Sequence, residues 1–175
     1  GERGAANEIG VTLACPIAER LLRQREAEAS ARRVTAFHEA GHVMGMLLTG
    51  QLPTRVSVLS APVTRSGGTK VQGFVTRGEY SDLANVQTDR RRAIALTELL
   101  TGHEWRAIRA FLRRASTEVR AVLEQHWNFV QSVGDRLERE GTLQGAEVAS
   151  ILASCEGIDH ALTDSSPPRL TSFGR

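Results

Sequence analysis

The sequence feature that most constrains the fold is the run HEAGH at residues 38–42, which lies inside a segment with helical periodicity. Apolar side chains recur at intervals of three and four residues over 31–48, and Gly50 follows as a helix-ending residue, so we predict one helix over 31–48. Residues four apart on a helix are rotated by about 40° and separated by about 6 Å along the axis. Such a helix therefore presents the imidazoles of His38 and His42 on one side.

The chemistry that this spacing supports is the binding of a zinc ion. Two imidazole nitrogens on one helix face can hold Zn²⁺ at about 2.0–2.1 Å. Glu39 follows the first histidine, so its carboxylate can lie beside the metal and accept a proton from a bound water, whose pKa zinc lowers toward about 7. HExxH also occurs by chance, but here it lies on a well-marked amphipathic helix. We predict His38 and His42 as zinc ligands and Glu39 as the general base.

A third ligand must come from elsewhere in the chain, because catalytic zinc sites normally take three protein ligands and a water. We favour Glu104, which follows a Thr-Gly turn in the first turn of a predicted helix, where the helix dipole stabilises a carboxylate. His103 is its main rival. The other candidates are Glu98, Asp82 and Asp89, with His126 and His160 more remote.

The remaining periodicity predicts a mainly α protein with a small β-sheet, an α+β fold class. Residues alternate in polarity around Val56, and a second short strand is predicted over 71–76 at the edge of the sheet. From Asp89 onward the apolar spacing is helical, which predicts a C-terminal helical bundle.

The sequence predicts one domain with a flexible segment at each end. Pro16 is typical of the first turn of a helix, and the small and polar residues before it favour a flexible segment over 1–14. We expect a single domain over 15–155 and a flexible tail over 156–175, where serines and prolines cluster.

Composition excludes several classes of function. The 22 basic and 20 acidic residues nearly cancel, and no concentrated basic stripe is present, so nucleic-acid binding is not expected. The cysteines Cys15 and Cys155 have no CxxC spacing, which favours two buried free thiols in a reducing cytoplasm over a cysteine-based zinc site. No apolar run approaches the roughly 20 residues that span a bilayer, and no signal peptide is recognisable, so we expect a cytoplasmic protein.

The segment TAFHEAGH at 35–42 closely resembles the zinc-binding helix of the FtsH-type ATP-dependent zinc proteases. The similarity continues through the strand at Val56, through GFVT at 73–76, which resembles an edge strand of that family, and through GTLQGAEV at 141–148, which resembles the turn before its closing helix. The resemblance covers roughly residues 31–152 and implies a zincin-like peptidase domain.

The resemblance also implies roles for individual residues. It implies His38 and His42 as ligands and Glu39 as base, and it supports Glu104 as third ligand, although the family usually has aspartate there. The family's edge strand implies that Gly73, Phe74 and Val75 bind an extended substrate. This sequence contains no P-loop and resembles only the peptidase part of those proteases, so the implied substrates are peptides or unfolded protein segments. No motif tells whether a separate ATPase or a second copy assembles with it.

Two functions from different classes remain at this stage. The first is a zinc-dependent metalloendopeptidase that hydrolyses peptide bonds through a zinc-activated water. The alternative is a catalytically inactive domain of the same fold that acts as a protein-interaction module. Retention of Glu39 favours the enzyme, because a purely structural zinc site has no use for a base, whereas a fourth protein ligand would favour the module.

Overall fold

The structure, a computed structural model, describes the backbone of residues 2–58, 74–76 and 86–155 and the side chains of residues 4–58 and 89–155. The helices are α1 (Glu2–Arg25), α2 (Ala31–Leu48), α3 (Val86–Thr101), α4 (Trp105–Gln125), α5 (Trp127–Glu140) and α6 (Gly145–Ser154), and the strands are β1 (Arg55–Ser57), β2 (Phe74–Thr76) and β3 (Thr142–Gln144). The prediction of a mainly α protein with a small β-sheet is confirmed.

Helix α2 forms where the sequence predicts it. The Ser30 hydroxyl caps its first turn by accepting a hydrogen bond from the Arg33 backbone N–H at 3.1 Å. Gly50 follows its last turn with φ of 74°, a left-handed conformation that favours glycine. Every residue from Ala36 to Leu47 is buried, so α2 runs through the centre of the domain and not across its surface.

Helix α1 differs from the prediction. The helix does not start at Pro16; it starts at Glu2, and the segment over 2–14 that we expected to be flexible forms its first half. The glycines at 4 and 10 disfavour a helix locally, but Ile9 and Ala14 are fully buried. Burial against the neighbouring helices therefore outweighs weak intrinsic propensity, which is the usual source of helix stability in proteins.

Pro16 lies in the interior of α1 and removes one of its hydrogen bonds. Since proline has no N–H, the Thr12 carbonyl loses the donor that would normally reach it from four residues on. The Cys15 thiol lies 3.1 Å from that carbonyl oxygen and can donate to it instead.

Close packing between α1 and α2 depends on two glycines one turn apart. A Cβ at Gly41 would lie 2.8 Å from the Ala14 carbonyl oxygen and from Cys15 Cα. A Cβ at Gly45 would lie 2.7 Å from Val11 Cα. These distances are shorter than a real Cβ contact, so only glycine allows the two helix backbones to lie this close together.

The C-terminal helices support α2 from another side. The Phe37 ring is fully buried, 5.6 Å from the Trp127 ring centroid. Gly134 of α5 admits this ring, because a Cβ there would lie 2.6 Å from it. Helix α5 thus fixes the face of α2 that carries Phe37, next to the histidine-bearing segment.

The sheet contains three short strands in the order β2-β1-β3, and both pairings are antiparallel. Val56 at the centre of β1 pairs with Val75 of β2 on one side and with Leu143 of β3 on the other. Among the described residues β2 lies at the edge of the sheet, where the sequence predicts an edge strand, and it lies against α2. Gly73, the side chains of Phe74 and Val75, and the tail over 156–175 lie outside what the structure describes.

No helix among the described residues is both long enough and apolar enough to cross a bilayer.

Candidate metal centre

Three helices bring four metal-ligating side chains to one point in the interior. Helix α2 contributes His38 and His42, α1 contributes Cys15, and α3 contributes Asp89 from its first turn. One potential ligand atom from each of the four side chains lies within 4.8 Å of the others, and all four residues are buried. We call these four residues the metal-binding group, and this group can hold a metal ion.

The spacing of the ligand atoms fits a single small cation. Asp89 Oδ2 lies 3.3 Å from His38 Nε2 and 3.7 Å from His42 Nε2. The Cys15 sulfur lies 3.1 Å from the same oxygen. Ligand atoms around a tetrahedral zinc lie about 3.3–3.8 Å apart, given bonds of about 2.0–2.3 Å. The distances to Asp89 Oδ2 are thus close to those that coordination requires, and all four ligand atoms lie within 4.8 Å of one another.

The orientation of His38 is fixed by a carboxylate behind it. His38 Nδ1 donates to Glu19 Oε1 at 2.5 Å, and Glu19 belongs to α1. A hydrogen bond of this kind places the ring proton on Nδ1 and leaves Nε2, which faces Asp89, free to bind a metal. Helix α1 thus supplies a possible ligand and also the group that orients another one.

Several buried polar atoms at this point have no hydrogen-bond partner among the described residues. They are Glu39 Oε2, both ring nitrogens of His42, and Asp89 Oδ1. A buried polar atom without a partner costs about 1–3 kcal/mol, and more when it is charged. Four such atoms in one place are not accounted for by hydrogen bonds among the described residues, and a cation bound here would give one ring nitrogen of His42 a partner.

The two histidines differ in charge in the metal-free protein. Burial lowers the pKa of His38, but hydrogen bonds to Asp89 and Glu19 outweigh burial and raise that pKa to about 10. Burial, and after it the charge on His38, lower the pKa of His42 to about 4. At neutral pH His38 therefore carries a proton that a metal must displace, whereas His42 is already a neutral ligand.

The two carboxyl groups at this point, Asp89 and Glu39, have pKa values that are shifted in opposite directions. Burial opposes ionisation of Asp89, but the hydrogen bond from His38 lowers its pKa below the usual value. Burial raises the pKa of Glu39 to about 8. Burial also raises the pKa of the Cys15 thiol well above its ordinary value, and Asp89 raises it further. Asp89 is therefore an anion at neutral pH, whereas Glu39 is close to the pH at which it gains or loses a proton.

The raised pKa of His38 makes the stability of the metal-free protein depend on pH. Since folding raises this pKa from about 6.5 to about 10, the charged imidazole stabilises the fold fully below pH 6.5, and that stabilisation is lost as pH rises toward 10. We expect the free energy of unfolding, measured by urea titration with a chelator present, to fall across this window. The fall should be less steep in His38→Gln and unchanged in His103→Gln, which alters an exposed histidine. A constant or rising free energy of unfolding in the wild type contradicts the assignment.

Of the four residues that the sequence predicts for the metal site, the structure places three together and the fourth elsewhere. His38, Glu39 and His42 lie together, whereas Glu104 is exposed at the N-terminal cap of α4 and is not in the metal-binding group. His103 beside it is also exposed. Among the candidate carboxylates that the structure describes, Asp89 is the one that lies against both histidines.

Of the other sequence candidates, the structure describes Glu98 and His126, and neither is in the metal-binding group. His126 lies at the junction of α4 and α5. Asp82 and His160 lie outside the described residues.

Cys15 is the member of the group that sequence reasoning missed. Its apolar surroundings indicate an ordinary buried thiol, and no spacing relates it to the HEAGH run. The sequence contains no direct indication that Cys15 is a ligand. A helix over residues 2–25 has to be recognised first, and only then can Cys15 be placed beside α2.

Comparison of the chain with family models, with curated proteins and with solved structures gave no match. The resemblance to FtsH-type peptidases therefore remains a prediction that rests on the sequence motifs.

Proposed function

We propose that this chain is a zinc-dependent metalloendopeptidase in which His38, His42 and Asp89 hold the metal and Glu39 is the general base. The observation that carries the proposal is the convergence of two imidazoles from α2 and one carboxylate from α3 beside a buried glutamate with an unpartnered oxygen. The HEAGH run and its resemblance to FtsH-type peptidases supply the identity of the metal and of the reaction.

Each protein group has a part in hydrolysis. Asp89 contributes negative charge that favours a divalent cation, and Glu19 holds the His38 ring in the ligating orientation. When bound, zinc lowers the pKa of a water molecule toward about 7 and polarises the substrate carbonyl. Glu39 accepts the proton from that water and returns it to the leaving amine. In the metal-free protein burial raises the pKa of Glu39 to about 8, so this carboxyl group can hold a proton near neutral pH.

The proposed substrate is an extended peptide or an unfolded protein segment. Strand β2 lies at the edge of the sheet and against α2, so the HEAGH helix and the edge strand are neighbours. An added strand can pair with the backbone of such an edge and present a peptide bond to the adjoining helix. Gly73, Phe74 and Val75 are the residues to which we assign this pairing.

A second candidate function is a zinc-containing interaction domain that cleaves nothing. It is favoured by one observation: the four donors of the metal-binding group are all buried, and four protein ligands are typical of structural zinc sites. The two functions share the metal centre, so cleavage of an unfolded protein by the zinc-loaded chain distinguishes them.

The ligand assignment is tested by zinc content. Asp89→Asn keeps the size of the side chain but removes its charge, and losing one of four ligands should cost about 3–4 kcal/mol, or roughly a hundredfold to a thousandfold in affinity. We expect elemental analysis after dialysis to find one zinc per chain in the wild type and little in Asp89→Asn. Glu104→Gln is the matched control and should keep its zinc.

The opposite pattern, with zinc lost in Glu104→Gln and kept in Asp89→Asn, contradicts the assignment. Circular dichroism of each variant with a chelator present checks that the metal-free fold is retained, so that a lost ligand is not mistaken for a lost fold.

A further inference from the structure

Cys15 lies in surroundings that are unusual for a buried free cysteine. Such cysteines normally behave as small hydrophobic residues among apolar side chains. Cys15 is fully buried, yet its sulfur lies 3.1 Å from Asp89 Oδ2 and within 4.8 Å of a nitrogen of each histidine of the metal-binding group. The Cys15 sulfur thus lies beside the three atoms of His38, His42 and Asp89 that bind the metal in the proposed function.

Three ligands and four ligands have different chemical consequences. A catalytic zinc keeps a coordination position for water, whereas a zinc with four protein ligands is closed. Sulfur binds zinc at about 2.3 Å, and soft thiolate donors raise the preference for zinc over magnesium or calcium. The position of Cys15 therefore determines whether a water molecule has access to the metal.

We propose that Cys15 is the fourth ligand of the metal in this conformation, so that the centre is closed until the Cys15 sulfur leaves its position to a water molecule. The inference rests on the proposed metal centre. On binding, the Cys15 thiol loses its proton to solvent and the sulfur forms the bond to the metal. On leaving, that bond breaks, the sulfur takes a proton from solvent, and water enters the vacated position.

The fold provides an alternative partner for the displaced thiol. Because Pro16 cannot donate to the Thr12 carbonyl, that oxygen remains an available acceptor 3.1 Å from the Cys15 sulfur. When Cys15 is protonated, its thiol can therefore donate to the Thr12 carbonyl, and no buried donor is left unsatisfied.

Exchange at Cys15 does not require helix α1 to move away. The packing of α1 on Gly41 and Gly45 is too close to loosen locally, and Glu19 of the same helix holds His38. The movement is thus confined to one side chain.

Cobalt substitution tests the coordination directly. Co²⁺ replaces zinc in such sites, and a thiolate ligand gives a sulfur-to-cobalt charge-transfer band in the near ultraviolet. We expect the band in the wild type, its loss in Cys15→Ala with cobalt still bound, and its full retention in Cys155→Ala, which removes the other cysteine. Cys15→Ser, which keeps a similar shape, replaces Cys15→Ala if the latter does not fold.

The zinc-loaded forms test the consequence for hydrolysis. Cys15→Ala should cleave fluorescently labelled unfolded casein faster than the wild type, because water no longer competes with sulfur. Bound cobalt without the band in the wild type, or a band that survives in Cys15→Ala, overturns the inference and leaves the proposed function intact. Failure of the wild type and of both cysteine variants to bind cobalt overturns the proposed metal centre itself. A band that is lost without faster cleavage overturns the view that Cys15 limits hydrolysis and favours the non-catalytic domain.

Discussion

Glu39→Gln should abolish peptide hydrolysis and leave the metal bound. The glutamine amide has almost the same shape as the carboxylate but cannot accept a proton, and removal of a general base costs about 10²–10⁴-fold in rate. The substitution leaves His38, His42 and Asp89 unchanged, so zinc content should remain at one per chain. Initial rates of casein cleavage and elemental analysis on the same samples measure both effects.

The control for this variant is Glu124→Gln, which removes an exposed carboxylate paired with Arg120. It should cleave like the wild type, since surface ion pairs contribute little to stability. Wild-type rates in Glu39→Gln would show that Glu39 is not the base. Loss of zinc in Glu39→Gln would show instead that this residue is needed to build the metal site.

Gly45→Ala should destabilise the protein, although alanine is the better helix former. The new Cβ would lie 2.7 Å from Val11 Cα, a backbone atom that cannot turn aside, so α1 must shift away from α2. Overpacking of this kind costs about 1–3 kcal/mol. The shift also moves Cys15 and Glu19 relative to His38, so zinc affinity should fall together with the free energy of unfolding.

Gly10→Ala is the matched control, because Gly10 is also helical but nothing lies within 4 Å of a Cβ placed there. Alanine should stabilise the protein at this position by about 0.5–1 kcal/mol, through helix propensity alone. Urea titrations of both variants therefore should give changes of opposite sign. Stabilisation by both substitutions would mean that α1 and α2 are not in close contact at Gly45.

The sequence predicts the parts of the fold that are encoded locally. The helix over 31–48 follows from its own apolar spacing and its terminal glycine, and the position of His38 relative to His42 follows from helix geometry. The strands around Val56 and at 74–76 follow from alternation, and the small sheet is present. None of these features needs information from a distant part of the chain.

The rest of the site depends on tertiary contacts. Glu104 satisfies the local criteria for a ligand as well as Asp89 does, since each lies at the start of a helix. What separates them is that α3 packs on α1 and places Asp89 beside His38, and no local pattern contains that packing. The first half of α1 differs from the prediction for the same reason, because its glycines indicate flexibility, whereas its burial against the neighbouring helices explains the helix.

The order of the donors along the chain has a consequence for how the centre is assembled during synthesis. Cys15, His38 and His42 all belong to the first two helices, which pack directly on each other, whereas Asp89 comes from the third. A nascent chain that has released α1 and α2 from the ribosome therefore already carries three of the four donors. Under the proposed function, metal capture by this hairpin can precede the synthesis of α3, and the ion would then be a template on which Asp89 docks.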